Sequence, residues 1–463
     1  MTDIVNRREV LTVAGTSLLA GLSVRAWAVP PRRHWELSAF SLDITPPLGH
    51  PLLAGMVEPA ARVVDPLHVH GAVLTGASDP VVFVAVDWCE IRNDAYDAWR
   101  EAIAAAAETK SECVLLASVH QHDAPLADLT AQRLLEEAGL KASICDLEFH
   151  AETLHRLSAT IRGALSRRET VSHIGTGSAV VEKVASNRRF IDSQGNLRFD
   201  RGSATTHAEG QRAPEETIDP LMRTLSFWDG KRPLAALSSY ATHPMSYYGG
   251  GGVSSDFVGL ARRQRQQDLP QVAQVYFSGA AGNVTAGKYN DGSELNRPVL
   301  TGRMHTAMVE AWNKTERRPL DDFTLRRANL ELPPRESPGF THEDLAAKLT
   351  PETPPRDQSL AAMGLSWRRR VDAGQPLEVP CVDFGPAAFV LLPAEAYVEY
   401  QLFAQQSRID DFVIVSGYGE CAPGYIPTEQ HWEEGDGNLN TWCWVAPGAE
   451  QRLKGAIREA LGV

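Results

Sequence analysis

Runs of apolar β-formers, each broken by polar residues at its C-terminal end, recur along this chain. Residues 39–45 read as a first strand, and 65–74 and 81–87 as a hairpin turned over 77–80. The 81–87 run is apolar on both faces, which predicts a central strand ending on Asp87. Alanine-rich 93–109, capped by Asn93, predicts a helix, and 113–120 the next strand. Strand, helix, strand at this spacing implies a parallel crossover with functional groups at the strands' C-terminal ends. Helices are predicted at 147–168, 257–267, 302–316 and 449–461, the middle two flanking the stretch 272–285, and strands at 222–228, 233–240, 381–384, 388–393 and 412–416. Residues 171–217 read as a polar, strand-poor surface excursion, and 333–376 as a mostly helical inserted excursion. No internal repeat is visible. The expected fold is α/β, with one mixed, largely parallel sheet, helices on both faces and a metal site at the strand ends.

The chemistry lies where the apolar runs stop. The 113–120 run breaks at His120-Gln121-His122, and alternation along an extended chain puts both imidazoles on one side with Gln121 opposite. The 233–240 run breaks at His243, ahead of four glycines at 249–252 that let backbone approach a ligand closely. The 388–393 run leads to Glu395, and a later turn carries Tyr425. Two histidines and a carboxylate form a common catalytic zinc set, and zinc lowers the pKa of its water to about 7. Taken singly, each of these residues also fits an ordinary solvated or hydrogen-bonded strand end.

Composition narrows the class. The 463 residues are 43% hydrophobic and 22% charged, enough for a sizeable core, and the formal charge of −13 disfavours nucleic-acid partners. Paired Arg7-Arg8, a short apolar stretch and Ala26-Trp27-Ala28 read as a twin-arginine export signal covering 1–28, with one hydrolase domain over 29–463. That apolar stretch is too short to span a bilayer, and no transmembrane segment is expected in the mature chain. The expected location is the bacterial periplasm or outside the cell. Six scattered cysteines contain no C-x-x-C pair, which argues against a thiolate metal site; Cys89 and Cys113 read as buried thiols.

Asp43-Ile44-Thr45-Pro46-Pro47-Leu48-Gly49, then Asp65-Pro66-Leu67, Ser118-Val119-His120-Gln121-His122-Asp123-Ala124-Pro125, Ala241-Thr242-His243-Pro244 and Gly279-Ala280-Ala281-Gly282-Asn283-Val284-Thr285 follow one another in fixed order. Together they resemble the neutral/alkaline non-lysosomal ceramidase family, from about Ser38 to Thr428. The resemblance implies a zinc amidase acting on a small-molecule or lipid amide of the N-acylsphingosine type. It implies zinc on His120, His243, Glu395 and Tyr425, with Tyr418 the alternative tyrosine. It further implies His122 and Thr285 as catalytic groups and Asp123, Asn283 and Arg188 at the substrate. Asn283 and Thr285 stand where the family has Asp and Ser, and Asp123-Ala124 replaces Ser-Gly. The family's C-terminal immunoglobulin-like domain is not expected here. The alternatives are an ester or sugar-derived substrate, suggested by Asp123 and the tryptophan-rich tail, and a non-catalytic binding protein on the same scaffold.

Overall fold

The structure, a computed structural model, describes residues 34–76 and 79–463. The export segment, its cleavage position and part of the 77–80 turn lie outside the described residues.

Trp35–Asp43 (β1), His68–Thr75 (β2) and Val81–Val86 (β3) form an antiparallel meander. Asn93–Ala107 (α1) then crosses to Val114–Ser118 (β4), which runs parallel to β3. Leu147–Leu165 (α2) returns over β1, and Glu169–Val171 (β5) closes the edge, giving the order β4-β3-β2-β1-β5. Every residue of β3 is buried, as expected of a run apolar on both faces. Asn93 does not cap α1 with its side chain. Its backbone N–H donates to Glu420, and its amide to Asp128 and Ser366.

This layout recurs. His173–Val180 (β6), Leu221–Asp229 (β7) and Arg232–Tyr240 (β8) form the second meander. Asp256–Asp268 (α3) crosses to Ala273–Ser278 (β9), parallel to β8; Asn296–Asn313 (α4) and edge strand Glu316–Pro319 (β10) follow. The third sheet holds Thr324–Leu330 (β11), Leu377–Asp383 (β12) and Ala387–Leu391 (β13), with helix Pro355–Asp372 (α5) inserted between β11 and β12. Val398–Ser407 (α6) crosses to Phe412–Ser416 (β14), parallel to β13, and Ala449–Leu461 (α7) closes the chain. The repetition is one of topology, with no counterpart in sequence.

One largely parallel sheet is therefore incorrect: among the described residues the fold has three mixed sheets of four or five strands, each with a single parallel pair, besides five two-stranded ones. Short reversals at Gly230 (φ 59°) and Gly385 (φ 85°) join β7 to β8 and β12 to β13, and so short a link makes only antiparallel neighbours. The 171–217 segment also departs from expectation, because β6 lies inside the second sheet between β7 and β10. Its small, polar sequence reflects the helix laid against it. A β-carbon on Gly177 would stand 2.2 Å from the Ala311 carbonyl oxygen of α4. The inserted 333–376 stretch is helical as expected, but α5 is packed into the core through Ala361, Met363 and Trp367.

The three parallel strands converge. Ser118, Ser278 and Ser416 hold the same last register position of β4, β9 and β14. Ser118 N donates to Tyr418 O (2.9 Å), Gly417 N to Ser278 O (2.8 Å) and Ser278 Oγ to Val119 O (2.8 Å). Below them Phe389 packs edge-on against Phe83 and Phe277, joining the sheets in one apolar core. All six cysteines are buried and free, and among the described residues no helix is long and apolar enough to cross a membrane.

Candidate metal centre

His120, His243 and Glu395 follow the ends of β4, β8 and β13, strands of three different sheets, Glu395 in a short pair of its own with Tyr425. β4 stops at Ser118, and His120 adopts φ 74°, so strict extended alternation does not carry the histidine pair. The reversal achieves the same outcome: the His120 and His122 rings lie 5.2 Å apart, while Gln121 turns away to Asp87. Tyr418 (φ 58°) and Ala394 (φ 55°) are also left-handed, a conformation that costs non-glycine residues about 1–3 kcal/mol each and gathers at functional sites.

His243 Nε2 lies 2.9 Å and His120 Nε2 3.3 Å from the same oxygen, Glu395 Oε2. The opposite nitrogens face backbone carbonyls, His120 Nδ1 at Cys89 O (2.9 Å) and His243 Nδ1 at Ala281 O (2.6 Å). Those carbonyls require Nδ1–H, leaving both Nε2 lone pairs directed at a carboxylate. Such a contact is closed either by a proton on one imidazole or by a cation between the nitrogens and the carboxylate. Two ligands on a tetrahedral zinc at 2.0–2.2 Å stand about 3.3–3.6 Å apart, close to the spacing found here, so the residues fit the ion. Burial opposes charge on His120, but the adjacent Glu395 draws its pKa well up. Glu395, despite burial, is held well below the usual carboxylate range by His120 and His243. Burial and then Arg188 take His243 down to about 4.

Glu395–Ala396 pairs in parallel with Tyr425–Ile426, setting Glu395 beside Tyr425. Arg188 bridges them to the two Nε2 atoms, donating from Nη1 to Tyr425 Oη (2.6 Å) with Nη2 3.4 Å from His243 Nε2. Tyr418 instead stacks on the His120 ring at 4.4 Å, with its hydroxyl towards His243 Nδ1. Burial raises the Tyr425 phenol, and Arg188 works against that rise.

His122 is half-buried, and neither ring nitrogen has a hydrogen-bond partner. Burial, then His120 and His243, hold its pKa well below the ordinary value, so the ring is neutral. Tyr248 covers its other side, rings 4.7 Å apart. Asp123 anchors the glycine loop by accepting from Gly249 N (2.8 Å), and burial raises its pKa to about 6.

The remaining predicted residues sit elsewhere. Thr285 donates to Gly202 O (2.7 Å) and accepts from Gly287 N (3.1 Å), so its hydroxyl holds two loop backbones. Asn283 accepts from Val398 N and donates to Glu399, fastening the start of α6. Trp442 and Trp444 stack on buried Arg92 rather than lining an open face.

Sequence reasoning missed Glu90, 3.9 Å from His120 Nδ1, although it shares the signal that marks Glu395, an acid a few residues past an apolar strand. A second histidine group, His68, His70 and Asp87, is closed to a metal because Arg262 grips both Asp87 oxygens at 2.7 and 2.9 Å.

No family model and no curated protein matches the sequence. Among solved structures, a ceramidase complexed with C2 superposes with a TM-score of 0.65 at 17% identity, covering 93% of this chain and 75% of that one. Neutral ceramidase from Pseudomonas aeruginosa gives 0.63 at 17% identity, covering 93% and 74%. At that identity the likeness establishes the fold, which is that of neutral ceramidases.

Proposed function

We propose that the chain is an exported, zinc-dependent hydrolase that cleaves the amide of an N-acylsphingosine-like lipid. The observation that carries this reading is the convergence of two imidazole Nε2 atoms on one Glu395 oxygen, within the neutral ceramidase fold. His120, His243, Glu395 and Tyr425 would hold the ion. When bound, zinc supplies a Lewis acid for the amide carbonyl and a water of lowered pKa.

The protein's own groups divide the remaining work. Arg188 is fixed by its bond to Tyr425, so its charge would be available to stabilise negative charge developing on a carbonyl oxygen bound beside it. Neutral His122 has both ring nitrogens free, so it can take a proton and return it to the leaving amine. Asp123 holds the Gly249 loop, and Tyr248 limits water at the mouth.

A lipid substrate is supported by the rim. Six of the ten exposed large apolar residues among those described are Leu48, Val63, Val64, Tyr248, Leu295 and Val299. They lie on segments that meet at the glycine loop. Arg62–Val63 pairs with Gly252–Val253, Gly49 N donates to Ala60 O, and Arg297 of α4 stacks on Tyr247 at 3.6 Å. Export is supported by Arg7-Arg8 and Ala26-Trp27-Ala28. The test is a panel of N-acylsphingosines and matched esters on purified protein of known zinc content. Faster amide turnover supports the reading; ester turnover alone, or none with zinc bound, sinks it.

A further inference from the structure

The proposed centre is short of negative charge. His120 and His243 bring none, Glu395 brings one and Tyr425 a second if it ionises, while the Arg188 guanidinium, 2.6 Å from Tyr425 Oη and 3.4 Å from His243 Nε2, sets one positive charge against them. A dication there needs another acidic group close by, and the fold supplies Glu90, whose carboxyl burial pushes up to about 7 against the pull of Arg92. Its side chain is fully buried, with Oε1 3.9 Å from His120 Nδ1. Arg92 donates to Oε2 at 2.7 Å and the Trp442 indole N–H reaches Oε1 at 3.4 Å, which fixes the carboxylate's orientation. Arg92 does not neutralise it alone, because Arg92 is shared with Asp128 at 3.5 Å and donates to Ala422 O at 2.6 Å. Within the fully buried set Glu90, Arg92 and Asp128, two carboxylates therefore share one guanidinium directly behind His120.

We propose that Glu90 is a positioning residue for the metal centre: its carboxylate, on the far side of the His120 ring, supplies the negative charge that lets the site retain a divalent cation. The Cys89 carbonyl takes the direct hydrogen bond from Nδ1, and Glu90 adds the charge a carbonyl lacks. The inference rests on the zinc hydrolase reading, and the experiment separates the two.

Zinc affinity is measured by chelator competition on the full chain, with melting temperatures of the metal-free proteins alongside. Glu90→Gln keeps the shape and removes the charge, and is expected to weaken zinc about 10–100-fold. Glu420→Gln is the control. Its carboxylate is also buried and accepts from Asn93 N (2.6 Å), but it is not held against the His120 ring. It is expected to lower the melting temperature while leaving zinc affinity within about 3-fold of wild type, below the range expected for a group supporting a ligand. Glu90→Met removes the charge at similar volume and should repeat the Glu90→Gln result if that variant does not fold. Wild-type affinity in a folded Glu90 variant overturns the proposal. Equal weakening by Glu420→Gln, or failure of both Glu90 variants to fold, assigns Glu90 a purely structural role and overturns it too. Wild-type protein that binds no zinc refutes the hydrolase reading itself, whereas zinc-replete wild type matched by Glu90→Gln refutes only the role of Glu90.

Discussion

His243 has its Nδ1 fixed by the Ala281 carbonyl and its Nε2 2.9 Å from Glu395. His243→Ala should therefore lose most bound zinc, and elemental analysis showing a full complement would remove it from the ligand set. Thr285 is a different case. Its hydroxyl lies between Gly202 O and Gly287 N, so Thr285→Val should destabilise the fold by about 1–3 kcal/mol. Turnover per folded molecule should persist. A fall of about 10²–10³ in turnover at unchanged melting temperature would instead make that hydroxyl catalytic. The difference between these residues explains what sequence can disclose. His120, His243 and Glu395 are legible because each breaks an apolar strand with a group that binds metal. Direction is not legible: nothing in Gly282-Asn283-Val284-Thr285 tells whether a hydroxyl meets substrate or a neighbouring carbonyl.

At the scale of elements, the strands that read clearly are the buried ones, β3, β4, β8, β13 and β14, whose apolar runs have no other use. β6 escaped notice because contact with α4 selects small residues there, which erases the β-former signal. That contact is testable. Gly177→Ala places a β-carbon 2.2 Å from backbone and should cost about 1–3 kcal/mol in denaturant unfolding. Gly163→Ala on α2, where nothing lies within 4 Å, should stabilise by about 0.5–1 kcal/mol. Equal effects at both positions would contradict the packing account. The first parallel pair was anticipated by strand–helix–strand spacing over 81–120, whereas the helix between β13 and β14 and the number of sheets were not. Hydrophobic pattern tells a strand that it is buried, not which neighbour lies beside it.

For the whole molecule, three sheets meet at the ends of β4, β9 and β14, and one candidate ligand follows a strand of each. Acid should loosen this assembly partly through His150, which accepts from Trp99 Nε1 at 3.1 Å. Burial depresses its pKa from 6.5 to about 4. A depressed histidine gives stability that is present above 6.5 and lost as pH falls towards 4, up to about 3 kcal/mol. His150→Gln should flatten the fall of melting temperature across that window; an unchanged slope would clear His150 of the effect. The central claim, that one zinc held by residues that follow strands of three sheets drives amide cleavage, has a direct measurement. Purified protein is stripped with chelator, titrated with zinc, and assayed on an N-acylsphingosine at each point. The account predicts that hydrolysis disappears on stripping and returns in proportion to zinc, reaching its plateau at one ion per chain. Hydrolysis that survives complete removal of metal, or that fails to return at full occupancy, would contradict it.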